Sequence, residues 1–188
     1  MVNKELILSA EGKCDNHRVD HSIRTMYFGR RVFELELANA PEEIRRNPDF
    51  FVQALDWAAV LHDREMSVTE KYDFDHGKKA ANRVDEIIGE VASLEVKEMV
   101  KFLCVFHVPD DSEITGLSET QAWILKVFKD ADSLDRVRFD NGDKLDESYL
   151  RFGSSRGLIE EAKELWERTK TMTEPEAVFD AIFENRVE

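Results

Sequence analysis

The stretch Ala54–Ser67, ALDWAAVLHDREMS, decides how the chain is read. With the residues before it, it forms the run FFVQALDWAAVLHD, which is apolar nearly all round and reads as the central helix of a core. The run then meets His62 and Asp63 side by side. A buried carboxylate costs several kcal/mol unless something neutralises or coordinates it. At a helix C-terminus the macrodipole disfavours its charge by a further ~0.3–1 kcal/mol. Two penalties fall on Asp63, and a cation facing it would relieve both.

Outward from this segment the pattern stays helical, with period-2 strand signatures almost absent. A first helix is expected over about Asp15 to Ala38. Pro41 can open a short turn, and Pro48 the central helix. Further helices are expected from about Asp75 to Ile88, stopped by Gly89, and from the Ser93 cap toward His107, ending before Pro109. VPDDSEITG reads as loop. SETQAWILKVFKDADSLDRVRF, from Ser118, reads as one long helix, and Asn141-Gly142 as a turn. Two amphipathic helices follow, about Ser155 to Lys170 and Pro175 to Asn185. Trp57 and Trp123 belong to the core. With no internal repeat or long linker, residues 1–188 are expected to form a single all-α domain, its core at about 14–140 and a helical extension at about 141–188.

The 188 residues suffice for one well-buried core. The formal charge of −14 argues against binding nucleic-acid polymers, which requires a basic surface. It does not exclude a small phosphorylated substrate, because a metal and a few local cations can reverse the potential in one pocket. No apolar run approaches the ~20 residues of a membrane span. The start MVNKELILSAEGKCDN has no h-region with a cleavage site. Cys14 and Cys104 are too few for a disulfide scaffold, and Cys104 reads as a buried thiol. The expectation is a cytoplasmic protein with no membrane partner.

The polar residues placed oddly against the helical pattern are His21, His62, Asp63, His76, His107 and Asp132. Taken singly, a histidine beside an apolar face is usually a hydrogen-bonded core residue. Together, imidazole and carboxylate suit divalent transition metals, and two-metal sites need about this many ligands.

Their order, with the segments DHSIRT, AAVLHD, DHGKKAANRV and KDADSLDRVRF, resembles the HD-domain superfamily of metal-dependent phosphohydrolases over roughly Cys14 to Asp140. The resemblance implies an HD-like helical bundle whose core helices point ligands into one cleft. It implies His21, His62, Asp63 and Asp132 as ligands of one metal. His76 and His107 match the extra pair of members with two metals, in which the aspartate of the doublet bridges the ions. One or two ions of Mn, Fe, Co, Ni, Zn or Mg are the implied cofactor. Asp132 is preferred because it follows Ala and precedes x-Leu, which makes Asp130 and Asp135 supporting or surface residues. An EF-hand reading of this segment fails, since Asp135 stands where a Gly is needed. The chain departs from the pattern at Arg64-Glu65-Met66, where many members carry a small residue, Gly and Lys, and in a long gap between His21 and His62. His17 lies one turn before His21 and reads as exposed or as orienting a neighbour, with a place in the same cleft as the alternative.

Arg24, Lys78, Lys79, Arg136 and Arg138 lie near the proposed ligands and are candidates to hold a phosphate. Arg136 can instead pair with Asp132. Glu65 is a candidate general base, and Asp63 the central catalytic ligand. The resemblance implies hydrolysis of a nucleotide or other small phosphoester by metal-activated water. The same ligands serve mixed-valent diiron oxygenases of this superfamily. A metal-stabilised regulatory domain is a third reading, with the acidic C-terminal helices docking a partner.

Overall fold

The structure is a computed structural model that describes residues 4–5, 19–67, 73–140 and 144–184. It is a bundle of helices, and no strand occurs among the described residues. We label the helices α1 (Val19–Glu36), α2 (Glu42–Arg46), α3 (Pro48–Leu61), α4 (His76–Ile88), α5 (Leu94–Phe106), α6 (Glu119–Leu134), α7 (Gly153–Gly157), α8 (Ile159–Thr169) and α9 (Pro175–Phe183).

Helix α3 occupies the centre, as its composition requires. Pro48 opens it, where the missing N–H costs nothing, and every residue from Ala54 to Leu61 is buried. Asp56 is among them, and Arg30 of α1 satisfies it through two hydrogen bonds of 2.8 and 2.7 Å. Helix α1 packs against α3 and α6, while α5 packs against both α3 and α4. Helix α9 covers α1, and the Arg30 guanidinium lies 5.0 Å from the Phe183 ring. Trp57 and Trp123 are buried in the common core.

Helix starts follow their caps. Ser93 Oγ accepts from the Val96 amide, and Ser118 and Gln121 form a reciprocal capping box. Gly89 ends α4 with φ of 56°, a conformation that favours glycine. Two segments depart from the sequence reading. The helix from Ser118 is regular only to Leu134 and then tightens into a 3₁₀ turn over Asp135–Arg138, where the Arg138 side chain folds back onto the carbonyl and carboxylate of Asp135. The helix expected over 155–170 is two helices, broken at buried Leu158 directly after Gly157, a poor helix former. Residues 15–18, including His17, lie outside the described residues, as do Cys14 and the Asn141-Gly142 turn. No described helix is long and apolar enough to cross a membrane.

Candidate metal centre

Helix ends converge on one point. His21 comes from the first turn of α1, His62 and Asp63 from the turn after α3, and Asp132 from the last turn of α6. His76 is the first residue of α4, and His107 caps the end of α5. A central apolar helix must stop somewhere, and α3 stops where four other helices present polar ends.

The residues form two groups able to hold a metal ion: His21, His62, Asp63 and Asp132, and Asp63, His76 and His107. In the first, Asp63 Oδ2 lies 3.5 Å from His21 Nε2 and 3.3 Å from His62 Nε2. Asp132 Oδ1 lies 3.3 Å from His21 Nε2 and 3.5 Å from His62 Nε2. In the second, the other oxygen of Asp63, Oδ1, lies 3.1 Å from His76 Nε2 and 3.4 Å from His107 Nε2. One carboxylate thus divides its oxygens between two donor sets.

The remaining nitrogens fix the tautomers. His62 Nδ1 donates to the carbonyls of Ala58 and Ala59 at 3.2 and 3.1 Å, and His107 Nδ1 to that of Cys104 at 2.6 Å. His76 Nδ1 donates to the Asp73 carbonyl. His21 Nδ1 lies 2.7 Å from Asp135 Oδ2. With every Nδ1 engaged, each Nε2 turns inward, the arrangement in which outer partners orient metal-binding imidazoles. His21 and His62 Nε2 are 3.2 Å apart, and His76 and His107 Nε2 are 2.9 Å apart. Lone pairs that face each other this closely require positive charge between them, either a proton or a metal ion. Donors on one divalent ion, with bonds of ~2.1 Å, stand roughly 3.0–3.4 Å apart, so the donor set fits a metal.

The electrostatics match. Burial pushes the Asp63 carboxyl up, but His62 charge and hydrogen bonds from the imidazoles outweigh it and hold it well below the usual range. Asp132 is held down in the same way, against burial, by His21 and His62. Burial and the Arg138 charge lower His21, yet bonds to Asp132, Asp135 and Asp63 raise it to about 9. His62 is raised to about 10 against its burial, first by the charge of Asp63. Burial dominates at His107 and lowers it.

Asp135 anchors the rear of the site. It is fully buried and receives Arg24 Nε, Arg24 Nη2 at 3.3 Å and Arg138 Nη1 at 2.6 Å. Arg24 also donates to Asp20 at 3.1 Å and to Thr169 Oγ1 of α8 at 3.2 Å, so its donors are committed inside the fold. Asp130 accepts the amides of Arg151 and Phe152 at 2.9 and 3.0 Å and ties α6 to the chain beyond it. Lys78 pairs with Asp75 at 3.0 Å, Lys79 with Asp73 at 2.8 Å, and Glu65 meets Arg83 at 3.3 Å.

A cavity of about 450 Å³ opens beside His107 and Asp132. Its walls carry Lys129, Arg136, Lys144 and Arg151. Lys129 shares the α6 face of Asp132, three residues away, and Arg136 follows in the 3₁₀ turn after α6. Lys144 and Arg151 come from the segment after α6, and sequence alone offered no signal that they meet it. Lys129 Nζ is held by the Pro109 carbonyl at 2.6 Å and Asp111 at 2.7 Å.

The geometry is consistent with an HD-like site. No protein-family model, curated protein or solved structure matches the chain.

Proposed function

We propose that the chain is a metal-dependent hydrolase of small phosphoesters. The observation that carries this reading is the cavity beside His107 and Asp132, which gathers Lys129, Arg136, Lys144 and Arg151 on a chain whose net charge is −14. Lys129 and Arg151 are paired with Asp111, and Asp110, Asp132 and Asp146 share the walls, so Arg136 and Lys144 together with a bound divalent ion would supply the attraction for small anions. Divalent ions held by the two donor groups would supply charge neutralisation for a phosphoryl group and lower the pKa of water.

The chain's own residues supply the rest. Arg136 and Lys144 would bind phosphate oxygens, and Lys129, held by Asp111 and the Pro109 carbonyl, would add a charge beside them. Asp110 and Asp146, also in the cavity wall, can accept from hydroxyl or amino groups of the esterified moiety. The burial of His21, His62 and Asp63 keeps bulk water from the rear of the site. The same donors support a second reading, an O₂-activating diiron oxygenase, because Asp63 is shared between two histidine-bearing groups. The Lys and Arg donors in the cavity wall favour the first.

The test is phosphate release from a panel of nucleoside monophosphates and aryl phosphates by protein loaded with Mn²⁺, Co²⁺, Ni²⁺ or Mg²⁺. Metal-dependent release, with KM raised several-fold in Lys144→Ala, is the expected result. Absence of release with every metal, together with O₂ uptake by iron-loaded protein, would replace this reading with the second.

A further inference from the structure

The second donor group depends on a contact that glycine alone permits. Gly77 follows His76 in the first turn of α4, and its backbone rests on the end of α5. A Cβ at this position would lie 2.2 Å from the Cys104 carbonyl oxygen, 3.1 Å from Val108 Cγ2 and 3.2 Å from His107 Cε1. The first atom is backbone and cannot swing aside, and the last belongs to an imidazole of the site. Carbon–oxygen contacts settle at ~3.3–3.6 Å, so a methyl group here drives α4 and α5 apart by about 1 Å. Conformational freedom is not the reason for this glycine, because positive φ among the described residues occurs only at Gly89 and Gly116.

The clash falls on the atom that orients the ligand. The Cys104 carbonyl oxygen that Gly77 approaches is the acceptor for His107 Nδ1 at 2.6 Å. His76, adjacent to Gly77, moves with α4. An outward shift therefore separates two Nε2 atoms that stand 2.9 Å apart, and both from Asp63 Oδ1 at 3.1 and 3.4 Å. The first group lies on α1, the end of α3 and α6, whereas the three atoms nearest to an added Cβ at Gly77 all belong to Cys104, His107 and Val108, at the end of α5 and just after it.

We propose that Gly77 is a positioning residue for a second metal ion: it sets the approach of α4 to α5 that brings His76, His107 and Asp63 Oδ1 together, and any side chain there leaves a one-ion protein. This rests on the metal reading of the site given above.

Co²⁺ binding to the full chain tests it, by equilibrium dialysis and visible absorption, in wild type, Gly77→Ala and His62→Ala. The wild type is expected to bind two ions. Gly77→Ala is expected to keep the tighter ion within threefold of the wild-type Kd and to weaken the second at least tenfold. General destabilisation would instead weaken both ions together. If Gly77→Ala is unfolded without metal, it is refolded by Co²⁺ titration followed by circular dichroism, and the ions on the refolded chain are counted. Two ions of wild-type affinity in Gly77→Ala, parallel weakening of both, or a variant that folds under neither condition each overturns the role of Gly77 alone. A wild type that binds no Co²⁺, or a tighter ion unaffected by His62→Ala, overturns the metal reading itself.

Discussion

His76 Nε2 and His107 Nε2 face each other at 2.9 Å while both Nδ1 atoms donate to backbone carbonyls, of Asp73 and Cys104. Neither ring can flip without losing its carbonyl, so the pair is preset to share a positive charge. Replacing either histidine with Ala is expected to lower metal stoichiometry from about two to about one per chain. Elemental analysis of reconstituted protein checks this. A count of two in His76→Ala would show that the second group does not ligate.

Asp130 and Asp132, two residues apart on α6, should separate by phenotype. Asp132→Asn removes a donor 3.3 Å from His21 and is expected to weaken metal binding at least tenfold with little loss of fold. Asp130→Asn disturbs the carboxylate that accepts the Arg151 and Phe152 amides, and is expected to cost about 1–3 kcal/mol of stability with metal affinity nearly intact. Chelator competition and denaturant melts on both variants decide. Greater metal loss in Asp130→Asn would contradict the register.

How far the sequence foretold this arrangement depends on the range of the interaction. Helix identity followed from local periodicity and from caps such as Ser93 and Ser118. Asp63 stood out because its penalties are local, a greasy helix and an unfavourable terminus. Asp135 was legible only as a nearby carboxylate, because its partners Arg24 and His21 lie on α1. The spacing of Arg24 from Asp20 was visible, whereas its commitment to Asp135 and Thr169 required the fold. Gly77 carried no signal, since its close neighbour, the Cys104 carbonyl, belongs to another helix. Lys144 and Arg151 reach the cavity only because the chain after α6 turns back across it.

Removing the partner of buried charges should be costly at Asp135. Asp135→Asn leaves Arg24 and Arg138 without their shared carboxylate and is expected to destabilise by about 3–5 kcal/mol. It also removes the charged acceptor facing His21 Nδ1, so metal affinity should fall roughly 10–100-fold. Denaturant melts with chelator competition measure both. Unchanged metal affinity would remove Asp135 from the support of His21.

The metal-free chain should lose stability in alkali. His21 and His62, lowered by burial but raised further by the carboxylates around them, stand at about 9 and about 10 against an ordinary 6.5. Groups raised on folding stabilise fully below the unfolded value and lose that contribution as pH climbs through the folded one. The melting temperature of the apoprotein is therefore expected to fall between pH 6.5 and about 10. Metal affinity should rise over the same window, because binding displaces those protons. An apoprotein melting profile flat across this range would contradict the assignment.

The shared carboxylate is the centre of the account, and counting ions on Asp63→Ala tests it most directly. Equilibrium dialysis of wild type and variant against Co²⁺, with circular dichroism to confirm helical content, suffices. Two ions are expected on the wild type and none held tightly by Asp63→Ala, with the helices retained. A folded Asp63→Ala chain that still binds two ions at wild-type affinity would contradict it.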